Sequence, residues 1–231
     1  MYSVTTNPPT ALPRPRVALE ALRRALNVGV AAAGIVLAAP LMVIIAVLIK
    51  LTSRGPVLYV QTRVGIDRRA LGAPEGNSRR LLDYGGKLFT IYKFRTMAAS
   101  TGSGSDAQVW ATPDDPRVTR VGRFLRLYRL DELPQLVNVL RGDMDVVGPR
   151  PEQPTIFRRL RERIAGYGAR QRVRPGITGW AQVNQRYDRS LDDVQRKLAY
   201  DLAYIARQSV LEDCKILLRT VPVVVWRRGA W

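Results

Sequence analysis

The chain has 231 residues, with 37 Lys or Arg against 19 Asp or Glu, a formal net charge of +18. It holds no histidine and one cysteine, Cys214, which excludes Ser-His-Asp and Cys-His pairs, His-ligated metals, an internal disulfide and cysteine-based zinc clusters. At 46 % hydrophobic it is too apolar for a disordered basic tail. What remains is a folded, basic protein whose chemistry rests on carboxylates, hydroxyls, Lys and Arg, with anionic partners: nucleic acid, phosphorylated small molecules or acidic lipid.

Residues 1–19 carry Pro8, Pro9, Pro13 and Pro15 among small polar residues and read as a flexible tail. Val28 to Ile49 follow as 22 residues without a charge; a straight helix of that length spans roughly 33 Å, close to a bilayer core. Three arrangements compete: a spanning helix, a signal anchor, and a re-entrant hairpin occupying residues 20–54. Pro40 leaves 12 apolar residues before it and 9 after, arms of about 18 and 14 Å that are too short to cross singly. Both flanks are basic, with Arg14, Arg16, Arg23 and Arg24 on one side and Lys50, Arg54 and Arg63 on the other. A spanning helix favours an asymmetry of positive charge, so the hairpin, with both ends in the cytoplasm, is the favoured reading.

Residues 55–231 read as one catalytic domain. Pro56 to Gly65 and Leu88 to Met97 are β-prone and predict a small hairpin. Between them, residues 67–86 read as an exposed loop, and Ser100 to Asp106 as a flexible connection. From Arg117 the pattern turns helical. Pro134 fits a first helical turn and Gly142 a stop, which puts Asp131 and Glu132 at the start of a helix of about nine residues. Met144 to Pro151 is a turn-rich loop, residues 154–172 a basic amphipathic helix, Arg174 to Asn184 a Gly-rich loop, and Leu191 to Arg207 a second amphipathic helix. Leu211 to Trp226 is apolar but interrupted by Lys215, Arg219 and Pro222, and meets Arg227, Arg228 and Trp231; this suits an interfacial helix better than a crossing one. The expected fold is therefore α+β and mostly helical, with a small β-hairpin.

The adjacent acids Asp131 and Glu132, with Arg123, Arg126 and Arg129 nearby, are the sharpest feature. Taken alone they are explained by charge balance and helix capping. They also fit phosphoryl transfer: a carboxylate attacks phosphorus to give an acyl phosphate, cations neutralise the oxygens, and Mg²⁺ is the usual metal. Lys87, Lys93 and Arg95 form a second cationic set, either a solvated strand face or phosphate ligands, with Lys93 and Arg95 on one face and Phe94 on the other. Pro149 and Pro151 flank Arg150 and stiffen the loop that presents its guanidinium; an ordinary turn with a surface Arg is the plainer account.

KFRTM (Lys93 to Met97), DDPRVTRVGRFLR (Asp114 to Arg126), LDELPQL (Leu130 to Leu136), VVGPRP (Val146 to Pro151) and RPGITGWAQVN (Arg174 to Asn184) occur in that order. With the apolar stretch ahead of them they resemble the bacterial sugar transferases, the small monotopic phosphoglycosyl transferases. The resemblance implies transfer of a sugar-1-phosphate from a UDP-sugar donor to a polyprenol phosphate acceptor, with release of UMP and a requirement for Mg²⁺. It implies Asp131 as nucleophile, forming a phosphosugar-aspartate, and Glu132 as its assistant, the two also being the candidate metal ligands. Lys87, Lys93, Arg95, Arg126, Pro149, Arg150 and Pro151 are the candidate substrate contacts, the Pro-Arg-Pro run lying by the uridine nucleotide. It implies a re-entrant helix broken at Pro40, a location on the cytoplasmic face of the bacterial inner membrane and a role in initiating surface glycan assembly, and it leaves a homodimer open; the excess positive charge makes an anionic lipid membrane an expected partner. Arg129 stands where family members often carry a small polar residue, and Gln185 where many carry Gly. Nucleic acid is not an expected partner, because the basic residues are spread along the chain and no nucleic-acid module is visible.

Overall fold

The computed structural model describes residues 17–67, 85–98, 115–185 and 190–226. The expectations for the N-terminal tail up to residue 16, the 68–84 loop, the 100–106 connection and Arg227, Arg228 and Trp231 lie outside the described residues.

Helix α1 (Val17–Thr52) has 36 residues and is about 54 Å long by its rise. It runs through Pro40 without interruption. This corrects the expectation of a helix-break-helix: an internal proline removes one donor and crowds the preceding turn, which kinks a helix without obliging it to stop. The face of α1 carrying Arg23, Asn27, Ala31, Ile45 and Ile49 is buried, whereas Val36, Leu37, Val43, Ile44 and Leu51 are exposed.

Strands β1 (Leu58–Val64) and β2 (Leu88–Phe94) pair antiparallel with Leu58 opposite Phe94 and Val64 opposite Leu88, as their alternation predicts. Phe89 and Ile91 point from β2 into a core with Ala31 of α1, Val139, Met144 and Val146. Helix α2 (Arg120–Leu127) is capped by Thr119, whose hydroxyl accepts from the Gly122 amide at 2.9 Å. Gly122 presses so closely on β2's continuation that a Cβ would lie 2.0 Å from the Thr96 carbonyl oxygen. A 3-10 turn (Leu130–Glu132) leads into α3 (Gln135–Arg141), which ends at the left-handed Gly142.

Next comes β3 (Asp145–Val147), which pairs in parallel with β4 (Gly176–Thr178); both segments were expected to be loops. Between them α4 (Pro154–Arg163) ends at Ile164, and a separate 3-10 turn runs from Tyr167 to Arg172. The single helix expected over 154–172 is thus two elements, divided at Gly166, whose φ of 76° lies outside helical space. Helix α5 (Trp180–Asn184) is short. Helix α6 (Leu191–Arg207) starts on a reciprocal cap between Ser190 and Asp193, and α7 (Val210–Val225) follows after Ser209.

A buried ion network joins α6 to the segment after β3. Arg170, with 1 % of its side chain exposed, donates Nε to Asp201 at 2.7 Å and an η nitrogen to the Arg150 carbonyl at 3.0 Å, with Glu152 at 3.5 Å. Lys197 donates to the same Glu152 oxygen, Oε1, at 2.9 Å. Removing Arg170 from such a cluster strands the buried Asp201 carboxylate and leaves Glu152 with Lys197. Arg170→Met is expected to lower the unfolding free energy by about 3–5 kcal/mol, read as a downward shift in the thermal midpoint of detergent-held protein; an unchanged midpoint would mean the network is not structural.

Candidate active site

The acidic pair sits on a sharply turned connection. Helix α2 stops at Tyr128, and Arg129 then takes a left-handed conformation (φ 54°, ψ 22°) that throws the chain into the 3-10 turn. Among the described residues it is the one non-glycine with positive φ. Leu130 and Leu133 pack against a cluster formed by Ile45 and Ile49 of α1 with Phe94 and Leu125, so the turn shares one apolar core with the long helix. Asp131 and Glu132 point inward and are buried, 9 % and 6 % exposed.

Glu132 Oε1 receives Lys93 Nζ and an η nitrogen of Arg150, each at 2.8 Å. Burial pushes the Glu132 carboxyl up, but Arg150, Lys93 and Arg129 together override it and hold it far below the usual range. Burial lowers the affinity of the Lys93 ammonium for its proton, with Glu132 opposing. Asp131 behaves differently. Its carboxyl is pushed up by burial and by Glu132, against the pull of Lys93, Arg150 and Arg126. It takes no hydrogen bond or ion pair among the described residues, whereas its neighbour is doubly ion-paired. Two adjacent carboxylates held in opposite environments are suited to opposite roles, one a fixed counter-ion and the other a more basic group available for reaction.

The Pro-Arg-Pro loop is held along its backbone. The Pro149 carbonyl accepts from the Gly176 amide at 3.0 Å, that of Arg150 from Arg170 at 3.0 Å, and that of Pro151 from Arg63 at 3.0 Å. Arg150 is therefore presented to Glu132 from a stiff support. Arg126 donates Nε to the Thr96 hydroxyl at 2.8 Å and acts on Asp131 through its charge.

Two candidates are not gathered here. Arg95 donates to the backbone carbonyls of Arg54 and Ser53 at 2.6 and 2.8 Å, and to the Ser53 hydroxyl at 2.8 Å; it closes the C-terminal end of α1. Lys87 is largely exposed and lies 4.0 Å from Asp143. Conversely, Glu152, Arg170, Lys197 and Asp201, which support the Pro-Arg-Pro backbone, were not singled out from the sequence. Asp201 carried a usable signal: it lies three and seven residues after Leu198 and Val194 on the buried stripe of α6, and a carboxylate there demands a cation.

Among the described residues no group of three or more acidic, Cys or His side chains converges on a metal position. Magnesium is commonly held by one or two carboxylates together with substrate phosphates, and the Asp131–Glu132 pair fits that pattern and not an all-protein cage.

The chain matches the bacterial sugar transferase profile over residues 18–227. It belongs to that family. It is 42 % identical over 221 residues to a UDP-glucose:undecaprenyl-phosphate glucose-1-phosphate transferase of Caulobacter vibrioides, covering 95 % of this chain and 75 % of the relative. It is 41 % identical over 219 residues to a UDP-N-acetylgalactosamine-undecaprenyl-phosphate N-acetylgalactosaminephosphotransferase of Aeromonas hydrophila, covering 95 % of this chain and 47 % of that protein. A UDP-glucose:undecaprenyl-phosphate glucose-1-phosphate transferase of Escherichia coli is 40 % identical over 202 residues, covering 87 % of this chain and 39 % of the relative. The chain thus spans under half the length of the last two.

The charge network makes a pH prediction. The Glu152 carboxyl is raised by burial, but Lys197 and Arg170 bring it from 4.5 to about 2. A depressed folded pKa gives stability that is present above the unfolded value and lost as pH falls through the folded one. The stability difference between wild type and Glu152→Gln should therefore be largest above pH 4.5 and shrink as pH falls toward 2. Equal differences at pH 7 and pH 3 by chemical denaturation would show that Glu152 is not ionised in the fold.

Proposed function

We propose that this family member is a phosphoglycosyl transferase that moves a sugar-1-phosphate from a UDP-sugar to undecaprenyl phosphate and releases UMP. The carrying observation is the division of labour in the acidic pair: Glu132 is locked by Lys93 and Arg150, and Asp131 beside it has a raised carboxyl pKa. In the first step an Asp131 carboxylate oxygen attacks the sugar-bearing phosphorus. The bond from that phosphorus to the bridging oxygen breaks, and UMP departs with the electron pair. In the second step a phosphate oxygen of the acceptor attacks the phosphosugar-aspartate, and the Asp131 carboxylate is regenerated. Lys93, Arg126 and Arg150 supply positive charge around the developing oxyanions. Mg²⁺, held by Asp131 or Glu132 with the donor diphosphate, would supply further charge neutralisation there. The relatives named above act on UDP-glucose or UDP-N-acetylgalactosamine, so the donor class proposed is a UDP-hexose, and the product a lipid-linked sugar that starts a surface glycan.

The membrane reading rests on where α1 touches the domain. Near its start, Arg23 donates to Asp213 at 3.0 Å and Asn27 Oδ1 accepts from the Val146 amide at 2.6 Å. At its end Arg95 binds the Ser53 and Arg54 carbonyls. One domain holding both ends of an apolar helix keeps both on one side of a bilayer, which supports monotopic insertion from the cytoplasmic face of the inner membrane, with any return of the uninterrupted helix to that face requiring a kink at Pro40. The exposed Leu218, Val221, Val225 and Trp226 of α7 suit an interfacial position.

With detergent- or nanodisc-held protein, undecaprenyl phosphate and Mg²⁺, one UDP-sugar from a panel should release UMP, and Asp131→Asn should reduce release by at least 10³-fold, the scale of losing a catalytic nucleophile. Near-normal release by that variant would remove Asp131 from the nucleophile role. Single cysteines placed before Val28 and after Ile49 should both react with a membrane-impermeant thiol reagent only from the cytoplasmic side; labelling of one from each side would make α1 a spanning helix.

A further inference from the structure

We propose that Gln135 is a catalytic residue of this site: its side-chain amide donates from Nε2 to an oxygen of the phosphoryl group that is carried on Asp131. This rests on the transfer reaction proposed above and adds to it a neutral hydrogen-bond donor that acts in both steps.

Three observations carry it. First, Gln135 is 2 % exposed, and its Nε2 is buried with no hydrogen-bond partner among the described residues. A buried amide donor left unmatched is costly, and native folds keep few of them without a use. Second, the helical phase sets this donor beside the nucleophile. Leu133 (φ −53°, ψ −39°) and Pro134 (φ −62°, ψ −17°) both have helical backbones. The Leu136 amide donates to the Leu133 carbonyl, and the Val137 amide to the Pro134 carbonyl, each at 3.1 Å. The 3-10 turn and α3 therefore form one continuous helical run. Residues four apart on such a run share a face, with β-carbons roughly 5–6 Å apart. Asp131 and Gln135 are such a pair, and both are buried. Third, the polar side chains on either side of Gln135 are matched. Asn138 accepts from the Tyr92 amide at 3.1 Å and donates to the Thr90 carbonyl at 2.6 Å. Glu132 receives Lys93 and Arg150. The run is thus tied to β2 both before and after Gln135, while the Gln135 Nε2 between those ties is not.

The Gln135 donor and the Asp131 carboxylate do not bond each other, although they lie one turn apart. One incoming group satisfies both. A phosphoryl group offers its phosphorus to the carboxylate oxygen and its negative oxygens to the amide N–H. The same phosphorus is attacked in both steps, first by Asp131 and then by the acceptor. A fixed donor to its oxygens therefore stabilises the charge that develops in each.

The test uses the full chain in nanodiscs and the UDP-sugar that supports UMP release. Capture of sugar-phosphate on the protein is followed by rapid quench and intact mass. Gln135→Met keeps the length of the side chain and removes the donor; Gln135→Leu is the second variant. In both, capture at saturating donor should slow about 10²-fold, the scale of losing one oxyanion donor. Transfer from the captured protein to undecaprenyl phosphate should slow to a similar extent, and the donor KM should change less than threefold. The thermal midpoint of Gln135→Met should equal or exceed that of wild type, because an unmatched buried donor has been removed. Capture within threefold of wild type in both variants would overturn the assignment. So would a lowered midpoint in Gln135→Met, which would show that Nε2 serves the fold. Failure of the transfer mechanism looks different: wild type itself would then capture nothing, and this assignment would fall with it. Capture by wild type at an equal rate in the variants would defeat the Gln135 assignment alone.

Discussion

The Glu132 carboxylate, gripped by Lys93 and Arg150 at 2.8 Å each, is the interaction on which the rest of the site depends. It joins three elements distant in sequence: the hairpin through Lys93, the 3-10 turn through Glu132, and the Pro-Arg-Pro loop through Arg150. A buried ion triad of this kind is seldom a large net source of stability, because desolvation cancels most of the attraction. Its effect is one of geometry. With both cations committed to Glu132, the adjacent Asp131 is left in the same cationic field but without a partner to lock it. Burial, with the adjacent Glu132 charge, then raises its carboxyl pKa against the pull of the surrounding cations.

The triad is itself supported from behind. Arg150 would be a mobile surface arginine if its backbone were not fastened by Arg170, and Arg170 is fastened by Asp201 and Glu152. Helix α6 thereby reaches the acidic pair through two layers of charge: Asp201 and Lys197 position Arg170 and Glu152, which position the Pro-Arg-Pro run, which positions Glu132. Each layer is more deeply buried than a solvated ion pair, so each restricts motion more than it adds attraction. A protein without histidine can build a strongly differentiated carboxylate pair in this way, using arginines as both scaffold and counter-ion.

What the sequence disclosed follows from the range of the forces involved. The β1–β2 hairpin and helices α2, α6 and α7 are visible as periodicity, because each buries one face and the pattern lies within a single element. The Asp131–Glu132 pair, Lys93 and the Pro-Arg-Pro run are visible as compact chemistry. Arg95 misleads because strand alternation assigns a face, not the destination of a long flexible head group; its guanidinium reaches the end of α1. The β3–β4 pair is three residues per strand, too short for any period, and is created by Gly148 and Gly176 approaching until a Cβ on Gly176 would lie 2.0 Å from the Gly148 nitrogen. The division of the 154–172 segment rests on one left-handed glycine, Gly166. Continuity of α1 through Pro40 was hidden because a proline specifies a lost hydrogen bond, and packing of the flanking turns decides whether the helix resumes.

In the proposed reaction, helix α1 is also where the membrane and the chemistry would meet. Ile45 and Ile49 on its buried face belong to the cluster against which Leu130 and Leu133 pack, and these two leucines bracket Asp131 and Glu132 in the chain. The turn that carries Asp131, the proposed nucleophile, thus shares one apolar cluster with the long helix. Near the other end, Arg23 and Asn27 bind α7 and β3, so the depth of α1 also fixes α7, whose exposed Leu218 and Val221 lie on the same assembly. An enzyme that joins a soluble nucleotide sugar to a lipid must hold its reacting carboxylate at a constant height above the hydrocarbon. Polar ties at both ends of α1, through Arg23 and Asn27 at one and Arg95 at the other, together with the cluster around Ile45 and Ile49, would hold that height.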